Sequence, residues 1–298
     1  MIKITKSSDP LLVTTLTTVI YGPPGCGKSS TAFTADSPLV LDFDAGAYRS
    51  QFRKDTVQVA DWADVDSITE SDLKPYATVV LDTVGRALDV LTAALIAKNP
   101  KFKGYGGALS LQGYGALKST FVSWLKLLHS YHKDVVLLAH MDEQRSGDEI
   151  VERLDVQGGS KGEIYKCADA MGRLQFVGGK RVLNFSPSDT AFGKNPAQLS
   201  PIPVPDFHTE PLFLAEVLKS IKGKLNEASA SSLAEQARLD EFKASFEHLS
   251  TPEQFTEKSV ELAKAEPKIK ALLLAVAETK GFSFNKKEKA FATRAVAA

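Results

Sequence analysis

Little in this sequence is extreme, and each shortage removes a class of function. Cysteine is nearly absent: Cys26 and Cys167 are the two in 298 residues. That excludes a disulfide framework and fits a reducing cytoplasm. Net charge is absent as well, with 36 basic and 36 acidic residues. Any affinity for a polyanion must therefore come from a local patch, not from the field of the whole molecule. No apolar run approaches the roughly 18 residues of a membrane span, and the opening MIKITKSSDP lacks the apolar stretch of a secretory signal. A cytoplasmic protein with no membrane partner is expected.

What is present is an alternation of two textures. Apolar β-type runs recur at 11–21, 38–43, 56–60, 77–82 and 134–140, and helical periodicity fills 28–35, 84–97 and 114–131. Near-continuous Val, Leu and Ile strands alternating with helices predict a parallel sheet covered on both faces, an α/β core. After residue 168 the texture changes. Two strand-like runs meet at Gly178-Gly179, a hairpin signal. The stretch 195–207 then carries Pro196, Pro201, Pro203 and Pro205, a stiff connector. From about 211 on, strand signals vanish and Ala, Lys, Glu and Leu recur with helical spacing. STPEQF at 250–255 reads as a helix start, with Pro at the first turn after Ser-Thr. The chain thus divides into a core at 1–205 and a helical appendage at 206–298.

The segment GPPGCGKS fits G-x-x-x-x-G-K-[ST] through Gly22, Gly27, Lys28 and Ser29. Glycines allow successive backbone N–H groups to curve around a phosphate, and the helix that follows adds its positive end. The expected cradle is Gly22, Pro23, Pro24, Gly25, Cys26, Gly27, Lys28, Ser29 and Ser30. Lys28 would reach the β and γ phosphates of ATP, and the Ser29 hydroxyl would ligate Mg²⁺. A carboxylate is needed to complete that metal shell, and Asp82 ends the apolar run TVVLD as such a residue should. A second acidic strand end, LVLDFDAG, offers Asp42 and Asp44, read as sharing one face of a strand. Either would suit a group that orients or deprotonates an attacking water. His140 ends another apolar run, at a place suited to sensing the γ phosphate.

These parts, in this order, resemble the RecA-like P-loop ATPases carried by phages, in particular the Sak-type single-strand annealing and recombination proteins. The resemblance rests on YGPPGCGKSS, LVLDFDAG, TVVLDTVGRALDVL, VVLLAHMDE, GGSKGEIYKCADAMGRL and SDTAFGKNP, and spans about residues 13–196. It implies a RecA-like core and catalysis by Asp44, where such proteins typically use Glu. It also implies DNA-binding loops after the Walker B helix and after the sensor strand. A basic residue reaching a neighbouring subunit's γ phosphate is implied too, with Lys180, Arg181 and Lys194 as candidates.

The first loop slot, 98–115, holds Lys98, Lys101 and Lys103 with Phe102, Tyr105 and Tyr114 among glycines. Lysines engage phosphates while aromatic faces stack on unpaired bases. The second slot, 141–163, is long, polar and acidic, so that Lys161 within VQGGSKG is its candidate contact. The last residues, KGFSFNKKEKAFATRAVAA, are basic and suit DNA or an acidic partner. The expectation is an Mg-ATP-binding, weakly or DNA-stimulated ATPase that oligomerises on single-stranded DNA for annealing or recombination. A single-strand-binding protein is a further partner, and a bacterial host cytoplasm the setting if the gene is a phage's. The rival is a regulatory or scaffold P-loop ATPase that acts on a protein partner without DNA.

Overall fold

Strands that are apolar on both faces need cover on both faces, and the chain supplies it. The computed structural model describes residues 5–7, 9–49, 52–146, 149–156 and 160–294. In chain order its first compact unit, Val13–Leu225, contains β1 (Thr17–Gly22), α1 (Lys28–Ala32), β2 (Pro38–Asp42), β3 (Thr56–Gln58), α2 (Ala63–Asp66) and β4 (Thr78–Asp82). There follow α3 (Val84–Lys98), α4 (Leu111–Ser130), β5 (Asp134–Ser146), β6 (Glu149–Leu154), α5 (Ser160–Cys167), β7 (Ala170–Val177), β8 (Lys180–Asn184) and β9 (Ile202–Pro203). The sheet order is β3-β2-β4-β5-β1-β7-β8-β9, with β6 paired to the extension of β5. Neighbours from β3 to β7 run parallel, whereas β7–β8 and β8–β9 are antiparallel.

Alternation sorts each central strand between two cores. Val19, Tyr21, Val79, Leu81, Val135 and Leu137 face the side packed with α3 and α4 residues such as Leu91, Phe121 and Trp124. Ile20, Val40, Val80, Val136 and Leu138 face the other side, against Phe213, Leu214, Val217, Leu218 and Ile221. The last five belong to the start of α6 (Phe213–Glu247), so the first unit continues past the expected boundary near 205 to Leu225. Register places Gly22 beside His140, and Asp42 beside Asp82. The carboxyl ends of the strands thus bring the glycine turn, both strand-end carboxylates and the histidine to one edge, where open α/β sheets bind ligands.

Three expectations change. The first strand begins at Thr17, not at residue 11, and Leu11 and Leu12 are exposed. The acidic slot 141–163 is largely a hairpin, because β5 continues to Ser146 and pairs with β6. Its acidity is tolerated by specific partners: buried Glu152 pairs with Arg173 of β7, and Arg153 lies over the Phe192 ring at 4.5 Å. Strand structure also returns after 211. The second unit takes in residues from Asn226 on, with the N-terminal stretch to Leu12. It holds α7 (Pro252–Glu261), α8 (Pro267–Thr279) and the hairpin β10 (Phe282–Asn285)–β11 (Ala290–Thr293). Phe246, Phe255, Leu273 and Phe291 form its core. Here α7 starts as expected: Thr251 Oγ1 accepts the Gln254 amide, and the Gln254 side chain accepts the Thr251 amide. The basic Lys286, Lys287 and Lys289 occupy the turn between β10 and β11.

Candidate nucleotide site

The glycine turn begins at Gly22, where the end of β1 lies against β7. A Cβ on Gly22 would lie 2.2 Å from the Leu174 carbonyl oxygen, so only glycine fits there. Gly25 and Gly27 then take φ of 75° and 94°, a left-handed backbone that β-carbons resist. Cys26 turns inward and is buried, and burial pushes its thiol up. It is a packing residue of the loop. Lys28 opens α1 and folds back, its Nζ donating to the Gly22 and Pro23 carbonyls at 3.0 and 2.9 Å. His140 Nδ1 lies 3.4 Å from the same ammonium. Burial lowers the Lys28 pKa, while burial and then the Lys28 charge lower that of His140.

A cavity of about 240 Å³ is lined by Gly25, Gly27, Lys28, Ser29, Ser30, Asp44, Arg49, Asp82, Thr83 and His140, among others. Ser29 Oγ donates to Asp82 Oδ2 at 2.6 Å. Burial raises the Asp82 pKa more than this hydrogen bond lowers it. A hydroxyl and a half-buried carboxylate in contact are hard oxygen donors on one spot, and Mg²⁺ takes few such protein ligands with water completing its octahedron. The residues present fit that ion.

The two aspartates of LVLDFDAG have separate roles. β2 ends at Asp42, so the pair does not share a strand face. Asp42 is buried, and its oxygens accept the Gly46 and Ala47 amides at 3.0 and 2.9 Å. It builds the turn. Asp44, carried on that turn, lines the cavity, accepts a hydrogen bond from Thr83 Oγ1 at 3.3 Å and lies 3.5 Å from Arg86 Nε. Beyond it a chamber of about 530 Å³ adjoins, lined by Asp44, Arg49, Thr83, Arg86, Asp89, His140 and Asp155. Sequence reasoning missed Arg49, Thr83 and Arg86. Their signal is adjacency: each lies within five residues of Asp44 or Asp82.

Residues 14–197 match the sequence model of a family described as an AAA domain. The chain belongs to the AAA domain family. With its parallel sheet and glycine turn, this AAA domain has the RecA-like α/β build and is a nucleotide-binding P-loop architecture. No curated protein matches the chain. Among solved structures, the crystal structure of the RadB recombinase is similar with a TM-score of 0.34 and 16% identity, covering 56% of this chain and 79% of that one. The AAA-domain match stops before α6 and the second unit. Among the described residues no helix is long and apolar enough to cross a membrane.

The remaining candidates lie outside the AAA-domain cavity. From Thr83, α3 carries the chain about 20 Å, at 1.5 Å per residue, to Lys98. There the lysine segment is a hydrogen-bonded loop. Asn99 caps the Lys101 amide, the Ser110 amide donates to Phe102 O at 2.7 Å, and Gly104 N to Ala108 O at 2.6 Å. Lys98, Lys101 and Lys103 are exposed and Tyr105 entirely so. Phe102 and Tyr114, expected as stacking faces, instead pack against the core. Lys161 falls within α5, but its side chain lies outside the described residues, as do residues 157–159. Lys180 is exposed beside the Gly178-Gly179 turn. Arg181 packs on its own chain's glycine turn, its Nε 3.2 Å from where a Gly27 Cβ would stand. Lys194 Nζ donates to Ala168 O at 2.6 Å.

Proposed function

We infer that this protein is an Mg-ATP-dependent ATPase that self-associates on single-stranded DNA and promotes annealing or recombination. The observation that carries this reading is the meeting of Lys28, Ser29, Asp44, Asp82 and His140 at one cavity on the carboxyl edge of the sheet. Backbone amides of the glycine turn and the Lys28 ammonium hold the β and γ phosphates. Ser29 and Asp82 hold Mg²⁺, which when bound neutralises phosphate charge. Asp44 takes a proton from the water that attacks the γ phosphorus. His140, beside Lys28, reports the presence of that phosphate to the β5–β6 hairpin. Lys180, exposed on its turn, is the candidate to reach a neighbouring subunit.

The DNA part of the reading is supported by the lysine loop, which displays Tyr105 between Lys103 and two φ-positive glycines. An exposed ring on a braced loop stacks on a base at small entropic cost, and three exposed lysines follow the backbone. The test is anisotropy of a labelled single strand with ATP and Mg²⁺ across several salt concentrations. Replacing Lys98, Lys101 and Lys103 by Ala should weaken binding for all sequences and flatten the salt slope by about 0.7 per lost contact. Wild-type protein that ignores single strands even at low salt leaves the rival reading, an ATPase acting on a protein partner.

A further inference from the structure

We propose that Arg49 is a further catalytic residue of this site, a cation from the same chain that contacts the terminal phosphate as it is transferred. This rests on reading the cavity as a phosphoryl-transfer site. Among the described residues, three Lys or Arg side chains line the cavity and its adjoining chamber, namely Lys28, Arg49 and Arg86. Two of them are occupied: Lys28 by two carbonyls of the glycine turn, and Arg86 by Asp44 and Asp89 at 3.5 and 3.3 Å. Arg49 differs. Among the described residues no carboxylate lies within 4 Å of its guanidinium, and Nε donates only to the neighbouring Tyr48 hydroxyl at 3.3 Å. The guanidinium also lies over the Tyr48 ring, 5.3 Å from its centroid, and the exposed side chain lines both the cavity and the chamber.

The backbone turn that carries it is held by a buried group. Asp42 holds the Gly46 and Ala47 amides, and the Arg49 amide donates to Gly46 O at 3.0 Å. One tight turn therefore carries Asp44 at its start and Arg49 at its end, and both side chains line the two spaces. The guanidinium lies beside Gly46, with Nη1 3.6 Å from the position of a Cβ, an ordinary contact distance. During transfer the bond from the γ phosphorus to the bridging oxygen breaks, the bond to water oxygen forms and the water proton passes to Asp44. Negative charge spreads over the equatorial oxygens, and a planar fork that stays protonated matches two of them. Among the described residues of the same chain, Lys180, Arg181 and Lys194 line neither space.

The full chain with Mg²⁺ serves for the test, comparing wild type, Arg49→Ala, Arg49→Lys and Asp44→Asn. Arg49→Ala should bind ADP within about threefold of wild type but lose turnover by about 10²-fold, as for loss of one positioned donor, with Arg49→Lys between. By calorimetry, aluminium fluoride should tighten ADP binding to wild type and no longer do so in Arg49→Ala. Mixing Arg49→Ala with Lys28→Ala should restore nothing, because the cation and the phosphate cradle belong to one chain. Restored activity overturns the same-chain assignment. Unchanged turnover and fluoride response in Arg49→Ala, with Asp44→Asn inactive, overturns Arg49 alone. A wild type that neither hydrolyses ATP nor responds to fluoride overturns both this inference and the reading beneath it.

Discussion

Replacing Asp82 by Asn should make the nucleotide-free protein more stable while removing its response to Mg-ATP. Asp82 ends a strand whose other four residues are buried, and among the described residues its carboxylate has one hydrogen bond, from Ser29 Oγ at 2.6 Å. Burial, with smaller contributions from Asp44 and Asp42, raises its pKa despite that bond. A carboxylate raised above its ordinary value near 3.9 holds its proton more tightly folded than unfolded. Its unfavourable share is therefore absent below the unfolded value and appears as pH rises through the folded one. The amide keeps the shape, and the Ser29 hydroxyl can turn to accept from it. The gain should be about 0.5–2 kcal/mol, the usual range for relieving one unfavourable group, or about 2–4 °C per kcal/mol for a unit of this size. Scanning calorimetry without nucleotide should show the difference at pH 7, shrinking toward pH 4. Adding Mg-ATP should raise the wild type by mass action and leave the variant behind, reversing the order. An Asp82→Asn protein that melts below wild type without nucleotide at neutral pH would refute the argument.

Two further substitutions test the scaffold. Gly22→Ala should destabilise the first unit by about 1–3 kcal/mol or more, since its Cβ would strike the Leu174 carbonyl at 2.2 Å; a melt of Gly25→Ala, whose Cβ meets nothing within 4 Å, should fall by only about 1–2 kcal/mol from backbone strain. Thr251→Ala should cost about 1 kcal/mol by breaking the capping box of α7, read as faster amide exchange in the second unit with the nucleotide site's exchange unchanged.

Legibility followed the kind of signal each part carries. β2, β4 and the first half of β5 were plain because a strand buried on both faces reads as a nearly continuous apolar run, as LVL, VVL and VVLLA are. The glycine turn and Asp82 were plain because their chemistry dictates spacing. The β5–β6 hairpin was hidden by its charges: Asp142 sits opposite Arg153, and Glu152 is answered by Arg173, a partner distant in sequence. β10 and β11 were hidden by brevity, with Phe282, Phe284 and Phe291 the whole apolar alternation around a lysine-rich turn. The roles of Asp42 and Asp44 parted because a period of two stops where the strand stops. Nothing local distinguishes Phe102 and Tyr114, which pack inward, from Tyr105, which does not.

The cavity gathers charges that the fold alone disfavours. Burial acts against the charged forms of Lys28, Asp82 and His140 together, lowering the two bases and raising the acid. Direct pairing would relieve much of this, yet among the described residues Lys28 meets carbonyls and a ring nitrogen, and Asp82 meets a hydroxyl. The ammonium and the carboxylate are held apart, each with a weak neutral partner it can exchange. On the proposed reading, a triphosphate would supply the negative oxygens that Lys28 lacks, and its metal the positive charge that Asp82 lacks. Such binding would relieve two opposite penalties at once, which neither an anion nor a cation alone would do. The same separation explains why Asp44 and Arg49 sit on a turn braced by Asp42 and not on the strand itself. The turn carries a carboxylate and a guanidinium that line the same cavity as the glycine turn, and among the described residues the two form no ion pair with each other.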